Sequence, residues 1–142
     1  MDKVSRAVRS KVMASVRSSG TRLEERLADA LTRARVGRFE RNPQSVEGRP
    51  DFVFRARKVA VFVDSCFWHG CRWHCRMPIS NRRYWNAKIQ RNRARDKRVT
   101  ARLRRQGWIV LRIWEHFLIR EDGITQALNR IKRNLRKKQG LS

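Results

Sequence analysis

Proline, tyrosine and acidic residues are scarce in this chain of 142 residues, which has three prolines, one tyrosine and twelve Asp or Glu. With so few prolines and only seven glycines, no flexible linker divides the chain, so we expect one domain with a single core over residues 1–142. No apolar run approaches the roughly 20 residues of a membrane span, and no apolar signal segment is present. We therefore expect no membrane partner and a cytoplasmic, nucleoid-associated location of the bacterial type.

Basic residues are abundant where acids are few. Thirty-six Lys and Arg give a net charge of +24 and a pI near 11.8. Such an excess repels itself unless a polyanion neutralises it, which favours DNA or RNA as the partner. Residues 1–19 are predicted to form a basic DNA-binding arm and residues 130–142 a basic C-terminal tail. Charge alone also fits a ribosomal protein, so the function depends on residues that can perform chemistry.

Cysteine is scarce too, and all three cysteines lie within one short segment. An odd, crowded set beside histidine favours metal binding in a reducing cytoplasm over disulfides. The spacing Cys66-x4-Cys71-x2-His74, together with His116 far along the chain, predicts a four-coordinate zinc. We favour these four residues as ligands, with Cys75 as the alternative. The competing interpretation is reduced core cysteines with an unrelated histidine.

Hydrophobic periodicity predicts an α/β fold, a small mixed sheet flanked by helices. Trp85, Ile89, Val99 and Leu103 share an apolar stripe about 80° wide on one helix, together with the polar Asn92 and Asp96. The predicted elements are a helix from Thr21 that ends before Gly37, a short strand near Arg38 to Asn42, strands near Asp51 to Arg55 and Lys58 to Asp64, a helix from Ser80 to about Gln106, a strand from Trp108 to Glu115 and a helix from about Asp122 to Lys137.

Carboxylates are predicted at the ends of neighbouring strands, with Asp51 at the start of one and Asp64 at the end of the next. Magnesium prefers hard oxygen ligands, and carboxylates beside a basic surface are what metal-assisted phosphodiester cleavage requires. Alone, Asp51 is more typical of a turn before a strand, and it is the nearby acids Asp64 and Glu24 that favour the metal site. Glu24 is a third candidate, although Thr21-x-x-Glu24 also forms a capping-box pattern that would occupy its side chain. Its neighbour Glu25 is expected to face solvent.

The cysteine-rich segment contains further candidates for chemistry and DNA contact. His69 is not needed for the zinc, and a histidine titrates near neutral pH, so it is a candidate for proton transfer. The alternative is a supporting histidine. Phe67 and Trp68 are predicted to stack on bases or to wedge between base steps, or else to cover the zinc. Met13 in the basic arm is a further wedge candidate from the opposite groove.

Together these motifs resemble the Vsr family, the very-short-patch repair endonucleases that act on T:G mismatches. The resemblance runs from about Ser5 to Phe117, through RSKVM, GRPDFVF, VFVDSCFWHGC, YWNAKIQRNRARD and GWIVLRIWEH. It implies a restriction-endonuclease-like fold with a structural zinc. It also implies a monomer that hydrolyses one strand, with magnesium, 5′ of a thymine mispaired with guanine. Such mispairs arise from deaminated 5-methylcytosine, so a cytosine-5 methyltransferase and a repair polymerase and ligase would be functional partners.

The resemblance also assigns roles to residues by motif. Asp51 matches the metal-binding aspartate, and Val63 matches the position whose backbone carbonyl binds that metal. Glu24 matches the active-site glutamate, and His69 matches the candidate general base. A further set matches positions that contact DNA, with Met13, Phe67 and Trp68 as wedges beside the mismatch and Lys88 and Asn92 as contacts to the mispaired bases.

The chain departs from the family pattern in three places. At Asp64 the best-known members have a histidine, so Asp64 either binds metal or orients His69. The zinc segment is spaced differently, and the lysine of the PD-(D/E)xK pattern is missing from the second strand, as is typical of the family. Two alternatives stay open: a sequence-specific restriction-type endonuclease of the same fold, and a zinc-stabilised nucleic-acid-binding protein without catalysis.

Overall fold

The computed structural model describes residues 22–65 and 82–139 and shows both helices and strands. Each element predicted within these residues is found close to its expected ends. Two short elements were not predicted, a helix at Glu115–Ile119 and a 3-10 turn at Arg55–Arg57. In chain order the structure contains α1 (22–33), β1 (Glu40–Arg41), β2 (Phe52–Phe54), β3 (Val59–Asp64), α2 (Arg82–Arg105), β4 (Ile109–Trp114), α3 (Glu115–Ile119) and α4 (Glu121–Gln139).

The four strands form one mixed sheet in the order β1-β2-β3-β4. The first two pairings are antiparallel, and Phe52 lies opposite Val61 in the second of them. The pairing of β3 with β4 is parallel and places Phe62 opposite Arg112. A parallel pair requires a crossover connection, and α2 lies in that connection. The predicted mixed sheet flanked by helices is therefore confirmed.

Both faces of the sheet are covered, which explains why β3 is an almost continuous apolar run. On one face, side chains such as Phe52, Val61 and Leu111 pack in one cluster with Leu27 of α1 and Ile131 of α4. The opposite face has its own cluster around α2. That second cluster contains Val46, Val53, Ala60, Phe62, Val99, Leu103 and Val110.

Helix α2 has the buried stripe that its sequence predicts, with Trp85, Ile89 and Leu103 all buried. It ends where Gly107 takes a positive φ of 92°. There the amide of Trp108 donates to the carbonyl of Leu103 over 3.0 Å, the bond that closes a helix with a left-handed residue after its last turn. The predicted end of the helix at Gly107 is confirmed.

The predicted C-terminal helix is confirmed and spans Glu121–Gln139, so residues 130–139 of the predicted basic tail are helical. Within this part of α4, Ile131 is fully buried and Leu135 is 8 % exposed, so one face of the segment packs on the sheet while the arginines face outward. Helix α4 begins tightly against α3, since a Cβ on Gly123 would lie 1.5 Å from the carbonyl oxygen of Phe117. Among residues 22–65 and 82–139, no helix has the length and apolar character needed to cross a membrane.

Candidate active site

A tightly packed loop delivers Asp51 to the sheet. Gly48 has a φ of +81°, and a Cβ built on it would lie 2.6 Å from Cγ1 of Val99 on α2. Only glycine accepts both that backbone conformation and that contact. Pro50 is fully buried behind it. The loop is thus pressed against α2, and this fixes where Asp51 enters β2.

Asp51 meets two other elements at the end of the sheet. Its Oδ2 accepts a hydrogen bond of 2.6 Å from the amide of Val63 near the end of β3. Its carboxyl group also forms a hydrogen bond with the side chain of Glu24 on α1. Glu24 is half-buried, and Thr21 lies outside the described residues, so the competing capping box is not described. Two carboxyl groups and the backbone of β3 therefore converge at one point.

The electrostatics of this point are unfavourable for negative charge. Burial raises the pKa of Asp51 to about 8, and the hydrogen bond with Glu24 and its charge push in the same direction. The charge of Asp64 raises the pKa of Asp51 as well, while the amide of Val63 opposes the shift. A hydrogen bond between two carboxyl groups requires a shared proton at the point where they touch.

Such a crowded pair fits a divalent cation, which would relieve the repulsion that the proton now relieves. Magnesium is commonly held by one or two carboxylates with water and phosphate completing its shell. Asp51 and Glu24 supply the carboxylates, and the carbonyl of Val63 is on the same stretch of β3. The part of the chain that the structure describes contains no group of three or more His, Cys, Asp or Glu arranged to hold a metal.

Asp64 lies in a second, separate arrangement on the α2 side of the sheet. It is 7 % exposed, and its Oδ2 accepts a hydrogen bond of 3.0 Å from Nε of Arg112 on β4. The same guanidinium lies 3.4 Å from Oδ1 of Asp96 on α2 and donates to Thr100 Oγ1 over 2.9 Å. This explains why the polar Asp96 shares the apolar stripe of α2: it is bound to a basic neighbour.

Arg112 was not singled out from the sequence, although the sequence contains a signal. It interrupts the apolar strand IVLRIW at a position that faces the same side as Val110. A cation in the middle of a buried strand needs carboxylate partners to offset its desolvation. The acids that end β3 and lie on the stripe of α2 were the available candidates.

A groove of about 390 Å³ opens beside this ion-pair network. Most of its lining residues belong to α2 and β4, and the lining includes Asp64, Asp96 and Arg112. Basic side chains surround these acids, so the groove attracts anions while its acids can meet a cation. The basic residues that line it are Arg93, Lys97, Arg104, Arg112 and Arg130.

The remaining predicted site residues divide into those described and those that are not. Lys88 and Asn92 are half-buried and one turn apart on α2, and Asn92 Oδ1 accepts a weak bond of 3.3 Å from Arg95. His116 is half-buried in α3, and its ring lies 4.6 Å from that of Phe117 and 6.2 Å from that of Trp114. Met13, Cys66, Phe67, Trp68, His69, Cys71, His74 and Cys75 lie outside the described residues.

Comparison with known proteins adds independent information. The family model described as DNA mismatch endonuclease Vsr matches residues 1–75. The chain is 42 % identical over 144 residues to the type II nicking enzyme V.NmeDIP of Neisseria meningitidis serogroup C, covering all of this chain and 95 % of that protein. It is 47 % identical over 114 residues to the type II nicking enzyme V.NaeI of Lentzea aerocolonigenes, covering 78 % of this chain and 69 % of that protein. It is 37 % identical over 123 residues to DNA mismatch endonuclease Vsr of Escherichia coli K12, covering 84 % and 77 %.

Proposed function

The chain belongs to the Vsr family of DNA mismatch endonucleases and is a DNA endonuclease, and from this premise we propose that it nicks one strand of duplex DNA 5′ of the thymine in a T:G mismatch. The observation that carries the proposal is the contact of Asp51 with Glu24 and with the amide of Val63. A buried carboxyl pair at the end of a sheet, in a protein with many basic side chains, suits hydrolysis of a phosphodiester.

Each residue of the pair has a role in this proposal. Asp51, Glu24 and the carbonyl of Val63 would hold a magnesium ion, which when bound supplies charge stabilisation to the phosphate. The amide of Val63 binds one carboxylate oxygen of Asp51, and the other oxygen would be available to bind the metal. His69 would take a proton from the attacking water or give one to the leaving oxygen. Asp64 would orient that histidine or contribute to the metal site.

Affinity for DNA would come from the basic faces of α2 and from the arm at residues 1–19. Phosphate contacts supply binding that does not depend on sequence and that weakens with salt. Lys88 and Asn92 would contact the mispaired bases, and Met13, Phe67 and Trp68 would wedge into the duplex. A weak base pair is easier to distort than a matched one, which would favour the mismatch.

A structural zinc is part of the same proposal. His116 lies two residues after the end of β4, and its ring is near those of Trp114 and Phe117. If Cys66, Cys71 and His74 join it on one zinc, with Cys75 as the alternative ligand, the segment after β3 is attached to the sheet next to Asp51. Such a closed site of cysteine and histidine is typical of structural zinc.

The test is cleavage of two matched duplexes, one with a T:G pair and one with T:A at the same place, with magnesium and zinc supplied. We expect a single nick 5′ of the mispaired thymine and at least about 100-fold slower cutting of the matched duplex. Equal cutting of both would refute the proposal.

A second candidate is nicking that depends mainly on flanking sequence. It is favoured by the names of the relatives at 42 % and 47 % identity, which are type II nicking enzymes. Placing the T:G pair in a library of flanking sequences separates the two possibilities. Mismatch repair paired with a cytosine-5 methyltransferase, and followed by a polymerase and ligase, predicts that the mismatch is required in every context that is cut.

A further inference from the structure

We propose that Arg112 is a positioning residue of this endonuclease, whose guanidinium joins Asp64 to Asp96 and so fixes the Asp64 carboxylate at the end of β3, directly after Val63. The inference rests on the proposed function, because it assigns Asp64 a place in the same reaction. It concerns a side chain to which the family motifs assign no role.

The geometry uses all three nitrogens of the guanidinium. Nε donates to Asp64 over 3.0 Å, Nη1 donates to Thr100 over 2.9 Å, and Nη2 lies 3.4 Å from Asp96. The acceptors come from β3 and α2, while Arg112 itself is on β4. The guanidinium carbon also lies 4.2 Å from the ring centroid of Phe62. One planar side chain therefore fixes the relative placement of three elements.

The backbone that carries Arg112 is held as well. Nη1 of Arg130 on α4 donates to the carbonyl oxygen of Arg112 over 3.1 Å. The side chains of Arg112, Asp64 and Asp96 are only 22 %, 10 % and 20 % exposed, so water screens them weakly. Without the cation, two carboxylates would face each other in a poorly solvated groove and would be expected to separate.

A purely structural ion pair is the competing explanation, because an ion pair can link α2 to β4 without affecting catalysis. Buried ion pairs add little net stability compared with apolar packing, so stability alone is a weak reason for an arginine here. Proximity to the reacting centre is a stronger reason for an arginine at this position. Asp64 ends β3 directly after Val63, whose amide binds Asp51, and the charge of Asp64 is felt at Asp51.

Arg112→Met tests the proposal, because methionine keeps an apolar side chain and removes the guanidinium group. On the duplex that the wild-type protein cuts best, we expect kcat to fall about 100-fold, the effect of misplacing a catalytic group. We expect KM to stay within about threefold, because the variant disturbs the reacting centre more than phosphate binding. Arg112→Lys should recover only part of the activity, since an ammonium cannot bind three acceptors in one plane.

Arg55→Met is the matched control. Arg55 also forms a forked contact with a carboxylate, at 2.6 and 3.1 Å from Glu40, but on the outside of the 3-10 turn. This substitution removes the same charge and should leave kcat unchanged.

A double-mutant cycle with Asp64→Asn separates positioning from structure. If Arg112 acts through Asp64, Arg112→Met should lower kcat by less than about fivefold once Asp64→Asn is present. Equal reductions in both backgrounds, or wild-type kcat in Arg112→Met, would overturn the inference. Both outcomes differ from failure of the proposed function, in which the wild-type protein would not prefer the mismatched duplex.

Discussion

Asp51 combines three properties in one carboxyl group: burial, contact with another carboxyl group and a hydrogen bond from the backbone amide of Val63. Strand patterns predicted Asp51 as a candidate, and the resemblance to the Vsr family assigned Glu24 to the same site although its pattern also fitted a capping box. The structure adds that they touch. This contact has a consequence for stability as well as for catalysis.

Stability should fall as pH rises, because the pKa of Asp51 is raised from 3.8 to about 8 in the folded protein. The folded state holds this proton more tightly than the unfolded state does. The contribution is therefore complete below about pH 4 and disappears as pH rises through about 8. In chelator, urea denaturation should show that the stability of the wild-type protein falls by about 2–4 kcal/mol more than that of Asp51→Asn between pH 5 and pH 9.

Glu40→Gln is the control for this measurement, because Glu40 is an exposed acid paired with Arg55. It should keep the pH dependence of the wild-type protein. Identical pH profiles for the wild-type protein and Asp51→Asn would show that folding does not raise the pKa of Asp51. Added magnesium should flatten the wild-type profile, since a bound cation replaces the shared proton.

Arg112 shows the limit of sequence reading at the level of single residues. Its partners Asp64 and Asp96 lie 48 and 16 positions away along the chain. The pattern of β4 reveals a cation in a buried strand, but it does not say which acids lie opposite. That information comes from the parallel register of β3 with β4 and from the rotation of α2.

At the level of elements, the loop that carries Asp51 depends on Gly48 for its contact with α2. Gly48→Ala should destabilise the protein by roughly 2–4 kcal/mol, because a methyl group would meet Val99 at 2.6 Å in a backbone conformation that already disfavours alanine. Thermal or urea unfolding measures the change. Cleavage should also slow, since the loop would move Asp51.

Gly37→Ala is the matched variant, with a φ of +111° and no atom within 4 Å of the added Cβ. Gly37→Ala introduces the backbone strain without a steric clash and should destabilise the protein by about 1–2 kcal/mol. If both substitutions destabilised the protein equally, the packing of the loop against α2 would not determine the position of Asp51.

Regular elements were predictable because their periodicity is local. The stripe of α2 and the apolar runs of β3 and β4 each indicate their own structure. Helix α3 was not predicted because five residues, EHFLI, are too few to show a helical period and follow the strand without a break. Helix α4 was predicted although its end is rich in basic residues, among which Ile131 and Leu135 are buried.

For the whole molecule, a net charge of +24 on an α/β frame makes salt the main control of DNA affinity. We expect the slope of log K against log salt concentration to be steeper than about −4, which corresponds to roughly four or five phosphate contacts. Fluorescence anisotropy with a labelled T:G duplex measures it. Arg93→Gln and Lys97→Gln on α2 should each reduce the slope by about 1, because each substitution removes one cation that binds a phosphate.

Arg55→Gln again serves as the control, because it removes one charge outside the groove and should leave the slope unchanged. A slope that falls equally for all three variants would mean that the groove beside α2 has no special part in binding. General attraction by the whole surface would then be sufficient.

Fold and family were the most predictable features at this scale, because several motifs in order define them together. The pairing of acids in the site was less predictable, because it depends on register and helix rotation. The family and the pairing of acids together support one claim, that a carboxyl pair at the end of the sheet is required to cut the strand that carries a mispaired thymine.

The most direct measurement is single-turnover nicking of an end-labelled T:G duplex by the wild-type protein, Asp51→Asn and Glu40→Gln. The account predicts a nick 5′ of the thymine by the wild-type protein and by Glu40→Gln at equal rates, and a rate at least about 1000-fold lower for Asp51→Asn. Nicking by Asp51→Asn at the wild-type rate would contradict it.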